Sequence, residues 1–203
     1  MLLVGLNGSP NKNGNTKELL KKLMEKARSM GAETAVIDVG DAVGSVSIPF
    51  CNVCGNPCTG QCYKGTKLEE AFELMKKADG IVFGSPVYFG SVSGQLKAMF
   101  DKSRKLRAEK AFYNTVGAGV TVAAAKYGGQ ETAMKALHDI MLVHGMIIVG
   151  DGFKDDDCGH HGVSAQRPSA DDDYAAKRAD ILAKRLVEVC KATENLRKEL
   201  RKQ

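Results

Sequence analysis

Several kinds of segment are missing from this 203-residue sequence, and each absence narrows what the chain can be. There is no run of roughly eighteen apolar residues, so we expect no membrane-spanning helix and no membrane partner. The sequence opens without the basic leader, long apolar core and small-residue cleavage site of a secretory signal, which predicts a cytoplasmic protein. Since no repeat, low-complexity tract or linker divides the sequence, we expect a single domain over residues 1–203.

Strong charge is also absent, because the formal net charge is only +5. Much of the positive charge lies in residues 191–203, where basic side chains suit the C-terminal end of a helix dipole. No nucleic-acid-binding motif accompanies this charge, and we therefore expect no nucleic-acid partner. In a cytoplasmic chain, the six cysteines are expected to be reduced thiols or metal ligands rather than disulfides.

Short apolar runs alternate with amphipathic patterns along the sequence, which predicts an α/β fold. The predicted strands cover residues 2–7, 32–39, 80–85, 115–122 and 146–150, and the predicted helices cover 16–30, 67–78, 94–105, 129–144 and 172–203. This alternation predicts a five-stranded parallel sheet with right-handed crossovers and helices on both faces. The segment 40–65 is too rich in glycine and proline for a regular element, and we predict a long functional loop there.

The segment GSPNKNGNT, residues 8–16, leaves the first predicted strand and enters the first helix. A glycine permits a tight turn with inward-pointing N–H groups, polar side chains surround it, and the helix N-terminus adds positive potential. This is the chemistry of a phosphate cradle, and the alternative is an ordinary turn with Thr16 as the helix N-cap. The segment is neither a Walker loop nor the dinucleotide pattern of three spaced glycines. The candidate ligands are Ser9, Asn11, Gly14, Asn15 and Thr16.

Two further loops follow predicted strands at the same carboxyl edge of the sheet, where doubly wound folds bind ligands. GSPVYFGS, residues 84–91, follows the third strand and offers aromatic side chains to flank a flat ring, although Tyr88 and Phe89 are alternatively core residues. VAAAKYGGQE, residues 122–131, follows the fourth strand, and its glycines allow a ligand close to the backbone. The candidate cofactor-binding residues here are Pro86, Val87, Tyr88, Phe89, Gly90, Ala125, Gly128 and Gly129.

Four cysteines occur within twelve residues of the predicted loop, in the run CNVCGNPCTGQC. Soft thiolates in one compact loop suit an iron–sulfur cubane, in which each iron atom needs one thiolate. Zinc and free thiols are the alternatives, although zinc favours two paired CxxC knuckles that are further apart. The candidate metal ligands are Cys51, Cys54, Cys58 and Cys62.

The remaining cysteines and the histidines carry weaker signals. Cys190 falls in a helical apolar pattern and is expected to be buried and inert. Cys158 lies in DDDCGHHG, and the pattern assigns it no role. The nearby His160 and His161 are either ligands or proton donors or, as is more common for adjacent histidines in a polar loop, solvated surface residues. The other two histidines, at positions 138 and 144, are expected to be structural.

The segments GSPNKNGNT, PVYFGSVSGQLKAMFD and KYGGQE, in this order, resemble the NAD(P)H-dependent FMN reductase family, which has the flavodoxin-like fold with sheet order 2-1-3-4-5. The added cysteine loop resembles the iron–sulfur flavoprotein branch of that family. The resemblance implies a flavin-dependent oxidoreductase with FMN beside a [4Fe-4S] cluster, assembled as a homodimer or higher homo-oligomer. It also implies that Ser9, Asn15 and Thr16 bind the FMN phosphate. Residues 86–90 then line the isoalloxazine, and the loop ending in Gly128 covers its other side.

The sequence departs from the branch at two points. The cysteines follow C-x2-C-x3-C-x3-C, whereas the branch has a shorter middle gap and a longer last one, and Lys102 stands where the family usually has Arg. The departure at position 102 matters little if that position makes only a surface ion pair.

Electron transfer between FMN, a cluster and an external carrier is the leading hypothesis. The carrier would be a ferredoxin-like protein or NAD(P)H. One alternative is an NAD(P)H-dependent FMN or quinone reductase whose cysteines bind zinc or no metal, and another is a zinc-loop binding module without a redox role. No catalytic acid or base is predicted, because flavin chemistry depends on positioning rather than on a side-chain nucleophile.

Overall fold

The structure, a computed structural model, describes residues 1–200, with the backbone alone at position 200. The predicted C-terminal helix over 172–203 therefore extends into three residues outside the described range. None of the helices within residues 1–200 combines the length and the apolar character needed to cross a membrane.

The strands form one parallel sheet in the order β2-β1-β3-β4-β5, which confirms the predicted flavodoxin-like arrangement. A further strand, β6, pairs in parallel with the C-terminal half of β4 and continues the position that β5 occupies beside its N-terminal half. The strands are β1 (Leu2–Asn7), β2 (Glu33–Asp38), β3 (Gly80–Pro86), β4 (Val116–Ala123), β5 (Ile147–Ile148) and β6 (Val163–Gln166).

Helices cover both faces of the sheet. Within residues 1–200 they are α1 (Asn15–Ser29), α2 (Val39–Gly44), α3 (Lys67–Lys77), α4 (Gly94–Asp101), α5 (Arg104–Ala108), α6 (Gln130–Val143), α7 (Asp173–Ala192) and α8 (Glu194–Leu200). Two predicted helices are each interrupted, between Asp101 and Arg104 and at Thr193.

The prediction of an irregular loop over residues 40–65 was wrong at both ends of that range. Helix α2 begins immediately after β2, and a single 3₁₀ turn covers Gln61–Tyr63. The glycines of α2 lower its helix propensity, but Val39, Ala42 and Val43 are buried against the layer that contains α3 and α4. Tertiary packing therefore stabilises a helix that the local sequence disfavours.

Apolar side chains fill one layer on each face of the sheet. Side chains of α1 and α7 pack on one face, and those of α2 to α6 pack on the other. Every residue of β4 is buried, as expected for a parallel strand that is covered on both faces. Because all strands are parallel, their carboxyl ends meet at one edge, and the loops after β1, β3 and β4 emerge there.

The segment 149–162 separates β5 from β6 and is anchored to α7. The guanidinium of Arg178, a buried residue, pairs with Asp151 and with Asp157, and the N–H of His160 also donates to Asp151. The hydrogen bond from Arg178 lowers the pKa of the Asp157 carboxyl below its ordinary value. These contacts fix the segment that joins β5 to β6, the two short strands that pair with β4.

Candidate functional site

The turn between β1 and α1 is shaped by its own polar side chains. Ser9 Oγ accepts a hydrogen bond from the N–H of Asn11 at 3.1 Å, and Asn11 Oδ1 accepts one from the N–H of Asn13 at 3.1 Å. The N-cap of α1 is Gly14, so the alternative that Thr16 caps an ordinary turn was wrong. The predicted segment is therefore a structured loop that leads into an uncapped helix.

The N-terminus of α1 has the donors that an anion requires. The first N–H groups of a helix have no acceptor within it, and Gly14 has no side chain to supply one. Thr16 is buried in the first turn, and its hydroxyl has no hydrogen-bond partner within residues 1–200. These groups favour a phosphate at this position.

The predicted ligand Asn15 has a structural partner that sequence reasoning missed. Its Oδ1 accepts a hydrogen bond from the N–H of Ser169 at 2.8 Å, and Ser169 Oγ donates to its carbonyl oxygen at 3.0 Å. The contact ties the segment before α7 to the start of α1. Only the Nδ2 group of Asn15 is left, among residues 1–200, to donate to a ligand.

The loop after β3 contains a tight turn with a strained aromatic residue. Two backbone hydrogen bonds of 3.0 Å join Tyr88 and Ser91, and the two residues between them have positive φ angles, 50° at Phe89 and 72° at Gly90. That region suits glycine but strains phenylalanine. The side chain of Phe89 is fully exposed and that of Tyr88 is 45% exposed, so the alternative that both are core residues was wrong. A strained turn that presents aromatic rings to solvent favours a binding role.

Ser93 connects the first two loops. Its hydroxyl donates to the carbonyl oxygen of Gly8, and its N–H donates to Ser85 Oγ at 3.0 Å. The same hydroxyl accepts from the N–H of Leu96 at 3.2 Å and so caps α4. A serine just before a helical pattern is an N-cap signal, which could have identified this residue.

The loop after β4, the third loop, contacts the loop after β3, the second loop, through a glycine. Gly129 has a φ angle of 90°, and a Cβ atom built there would lie 3.2 Å from the Cα of Gly90 and 3.4 Å from Cγ1 of Val87. The neighbouring Gly128 closes a turn by donating to the carbonyl oxygen of Ala125 at 3.1 Å. The structure therefore brings the three predicted segments together at the carboxyl edge.

A cavity of about 910 Å³ opens beside the third loop, which is within the usual range for a small-molecule site. It lies between the start of α6, the end of β6 and residues 171–174. Tyr127, which is 92% exposed, and Arg167 stand at its wall. Space for a ligand is thus available next to the loops that carry the predicted cofactor contacts.

The cysteine segment lies between α2 and α3 and rests on α5. Cys51 and Cys58 are half-buried, Cys54 and Cys62 are exposed, and all four thiols are free. Within residues 1–200, no three His, Cys, Asp or Glu side chains are close enough together to hold a metal ion. Arg104 of α5 donates to the carbonyl oxygen of Gly55 at 3.4 Å, which holds the segment against the helix.

Two buried hydrogen-bond donors face this segment. Nζ of Lys102 donates to Sγ of Cys62 at 3.7 Å, and no carboxylate within residues 1–200 pairs with this ammonium, although the residue is only 3% exposed. Lys102 therefore makes no surface ion pair within residues 1–200, and its replacement of Arg bears on the cysteine segment. The hydroxyl of Tyr63, a residue only 4% exposed, has no hydrogen-bond partner within the described chain.

An anionic sulfur centre is the group that these donors fit. Burying a donor without an acceptor is costly, and thiolate or sulfide sulfur would accept from both side chains. Burial, and then the nearby Cys58 and Cys62, raise the pKa of Tyr63 well above its ordinary value, so the phenol keeps its proton at neutral pH. The residues around the four cysteines thus fit a metal–thiolate centre.

Helix α4 connects the two parts of the site. Ser93 at its N-terminal end contacts the loop after β1 and the end of β3, and Lys102 at its C-terminal end contacts the cysteine segment. The eight residues between them span about 12 Å at 1.5 Å per residue.

The remaining candidates lie where the sequence predicted. Cys190 is buried, and burial raises the pKa of its thiol to about 12. His160 and His161 are exposed, whereas His144 is buried between aromatic rings. Cys158 is exposed on the segment between β5 and β6, away from the other cysteines in the sequence.

Known proteins resemble this chain over most of its length. The family model for NADPH-dependent FMN reductases matches residues 1–156. An iron–sulfur flavoprotein of Methanocaldococcus jannaschii is 39% identical over 192 residues, which cover 94% of this chain and 98% of that protein. One from Methanosarcina thermophila is 34% identical over 192 residues, covering 93% of this chain and 95% of its own.

A solved structure has the same fold as this chain. A WrbA-like flavodoxin of Agrobacterium tumefaciens superposes with a TM-score of 0.65 at 20% identity, with 94% of this chain and 96% of that chain covered. The family match and the two flavoproteins extend the likeness from fold to sequence. The chain therefore belongs to the NADPH-dependent FMN reductase family, in its iron–sulfur flavoprotein branch, and is a flavin-dependent oxidoreductase.

Proposed function

We propose that this protein transfers electrons between FMN and a [4Fe-4S] cluster held by Cys51, Cys54, Cys58 and Cys62. The observation that carries the proposal is the pair of buried donors, Lys102 and Tyr63, directed at the cysteine segment without a carboxylate or carbonyl acceptor within residues 1–200. The names of the two flavoprotein relatives support the same assignment.

The FMN phosphate would be bound at the N-terminus of α1. The hydroxyl of Thr16, Nδ2 of Asn15 and the first N–H groups of the helix are the available donors. Ser9 shapes the turn by accepting from the N–H of Asn11, and Gly14 leaves the helix end open.

The flavin ring would lie against the loop after β3. The exposed rings of Tyr88 and Phe89 offer flat apolar surfaces, and Pro86, Val87 and Gly90 complete this loop. The third loop, from Ala125 to Gly129, would cover the other side, since Gly129 already touches the second loop. FMN supplies one- and two-electron chemistry when bound, and the chain supplies its position and excludes water.

The cluster would assemble only as the cysteine segment rearranges. The four thiols are not gathered in the structure, and we expect metal binding to be coupled to closure of the segment around the metal. Gly55, Gly60 and Pro57 give the short backbone the turns that such closure requires. A thiolate-held cluster suits the reducing cytoplasm, where we propose that the protein acts.

We further propose a homodimer or larger homo-oligomer. The apolar side chains of Ile48, Phe50 and Val53, in the cysteine segment, are 51%, 67% and 63% exposed. Burial of such surface against a second copy would shield the cluster and add apolar contact. A ferredoxin-like protein or NAD(P)H would then be the external electron donor.

Metal and sulfide analysis of anaerobically purified protein tests the proposal. We expect bound FMN together with iron and acid-labile sulfide in equal amounts. Cys51→Ser should lose iron and keep FMN, whereas Cys158→Ser, which changes an exposed cysteine outside the segment, should keep both. Zinc without labile sulfide would refute the cluster and favour the alternative of an NAD(P)H-dependent FMN or quinone reductase.

A further inference from the structure

We propose that Lys102 and Tyr63 donate hydrogen bonds to sulfur atoms of the metal centre and thereby raise its reduction potential. The inference rests on the proposed cluster function. It assigns a role to two residues outside the cysteine motif itself.

Lys102 is placed for this role by the end of α4. It is the C-cap of that helix, and its N–H donates to the carbonyl oxygen of Ala98 at 3.1 Å, which fixes its backbone. The side chain is buried in the protein interior, and its ammonium group contacts Sγ of Cys62. Burying an ammonium without a carboxylate is costly, and a thiolate-held cluster would supply the compensating negative charge.

Other cations near the segment are placed differently. Arg104 donates to the backbone at Gly55, and Lys105 pairs with Glu109 at 3.7 Å and is 39% exposed. Solvent and the carboxylate therefore compensate the charge of Lys105. Among residues 1–200, Lys102 is the cation that both contacts a candidate ligand sulfur and lacks a carboxylate partner.

Tyr63 approaches the same segment from the 3₁₀ turn. Its ring packs edge-on against Phe72, with 5.1 Å between the ring centroids. Its hydroxyl lies so close to Gly60 that a Cβ atom there would be only 2.5 Å away. The ring is thus held between a core aromatic residue and the backbone of the cysteine segment, where its hydroxyl has no hydrogen-bond partner within residues 1–200.

The consequence for redox chemistry follows from charge. Reduction adds one electron, supplied by the reduced flavin, to the metal centre, and no bond or proton is transferred. The added negative charge lies largely on iron and sulfur, so donors and a positive charge beside the sulfurs stabilise the reduced form more than the oxidised form. Removing either donor should make the reduction potential more negative.

Redox titration monitored by electron paramagnetic resonance tests this inference. Lys102→Met and Tyr63→Phe should each shift the midpoint potential to more negative values. Lys102→Arg keeps a charged donor and should stay near the wild type. Lys105→Met, which removes a solvated and paired cation, is the matched control and should leave the potential unchanged.

Iron and sulfide content is measured first and separates two kinds of failure. A wild-type protein with zinc, or without sulfide, overturns the proposed function and this inference with it. Loaded Lys102→Met and Tyr63→Phe proteins with the wild-type potential overturn the inference alone. If Lys102→Met does not load, Tyr63→Phe decides, because it removes a single oxygen atom.

The metal-free protein gives an independent readout for Tyr63. There its hydroxyl is buried without a partner, so Tyr63→Phe should raise the melting temperature. A lowered melting temperature would show that the hydroxyl has a partner in the metal-free protein and would contradict its assignment to the cluster.

Discussion

Replacement of Gly129 by alanine tests whether contact between the loop after β3 and the loop after β4 builds the flavin site. Gly129 and Gly31 have nearly the same backbone conformation, with φ angles of 90° and 88°. A Cβ atom at Gly129 would meet Gly90 and Val87, whereas one at Gly31 would meet nothing within 4 Å. Gly31→Ala therefore reproduces the backbone strain at a position beyond the end of α1, without the contact.

The two variants should share a loss of stability and differ in FMN affinity. A left-handed alanine costs about 1–2 kcal/mol, so both free energies of unfolding should fall by that amount. In Gly129→Ala the backbone of Gly90 can move away from the new Cβ atom, but holding the two loops together against it costs about 1–3 kcal/mol of overpacking. If FMN binding restores the close approach, its dissociation constant should rise roughly 5- to 150-fold, since each 1.4 kcal/mol is about tenfold.

Quenching of flavin fluorescence measures the affinity, and thermal unfolding of the flavin-free proteins measures the shared strain. Gly31→Ala should bind FMN like the wild type. Equal FMN affinity in Gly129→Ala and Gly31→Ala would refute the argument that the contact between the loops positions the flavin.

Three further predictions concern single side chains. Thr16→Ala should weaken FMN binding by about 1.5–3 kcal/mol, because it removes a hydrogen bond to a charged phosphate, and Thr16→Ser should retain it in the same titration. Phe89→Gly should stabilise the flavin-free protein by about 1–2 kcal/mol, because the exposed ring loses no packing while the left-handed backbone is relieved; a lower melting temperature would contradict this. Burial, with a smaller effect of Arg107, lowers the pKa of His144 from 6.5 to about 4. As the pH falls below 6.5, His144 therefore takes up a proton in the unfolded chain but not in the folded chain. Stability should therefore fall by about 2 kcal/mol between pH 7.5 and pH 5, and urea unfolding of His144→Gln should lack this loss.

The strands and the positions of the three loops at the carboxyl edge could be predicted because their signals are local. Each strand is a short apolar run, and parallel order places the loops at one edge. Helix α2 could not be predicted in the same way. Its glycines disfavour a helix, and the apolar contacts that stabilise it come from residues distant in the sequence.

Contacts over long sequence distances account for the rest of the site. The bond between Asn15 and Ser169 joins residues 154 positions apart, and the one between Lys102 and Cys62 joins residues 40 apart. Neither residue type predicts a buried partner, since asparagine and lysine side chains are mostly exposed. Burial of Lys102 is known only once α4 is placed against the cysteine segment.

The placement of α4 gives the two candidate centres a shared support. Ser93 fixes its N-terminal end to Gly8 and Ser85, and Lys102 fixes its C-terminal end to the cysteine segment. The body of this helix is packed in the core through Leu96, Met99 and other buried side chains, so its two ends cannot move independently. A flavin bound beside the first end and a cluster bound beside the second would therefore keep a constant separation within the chain, whichever external carrier supplies the electrons.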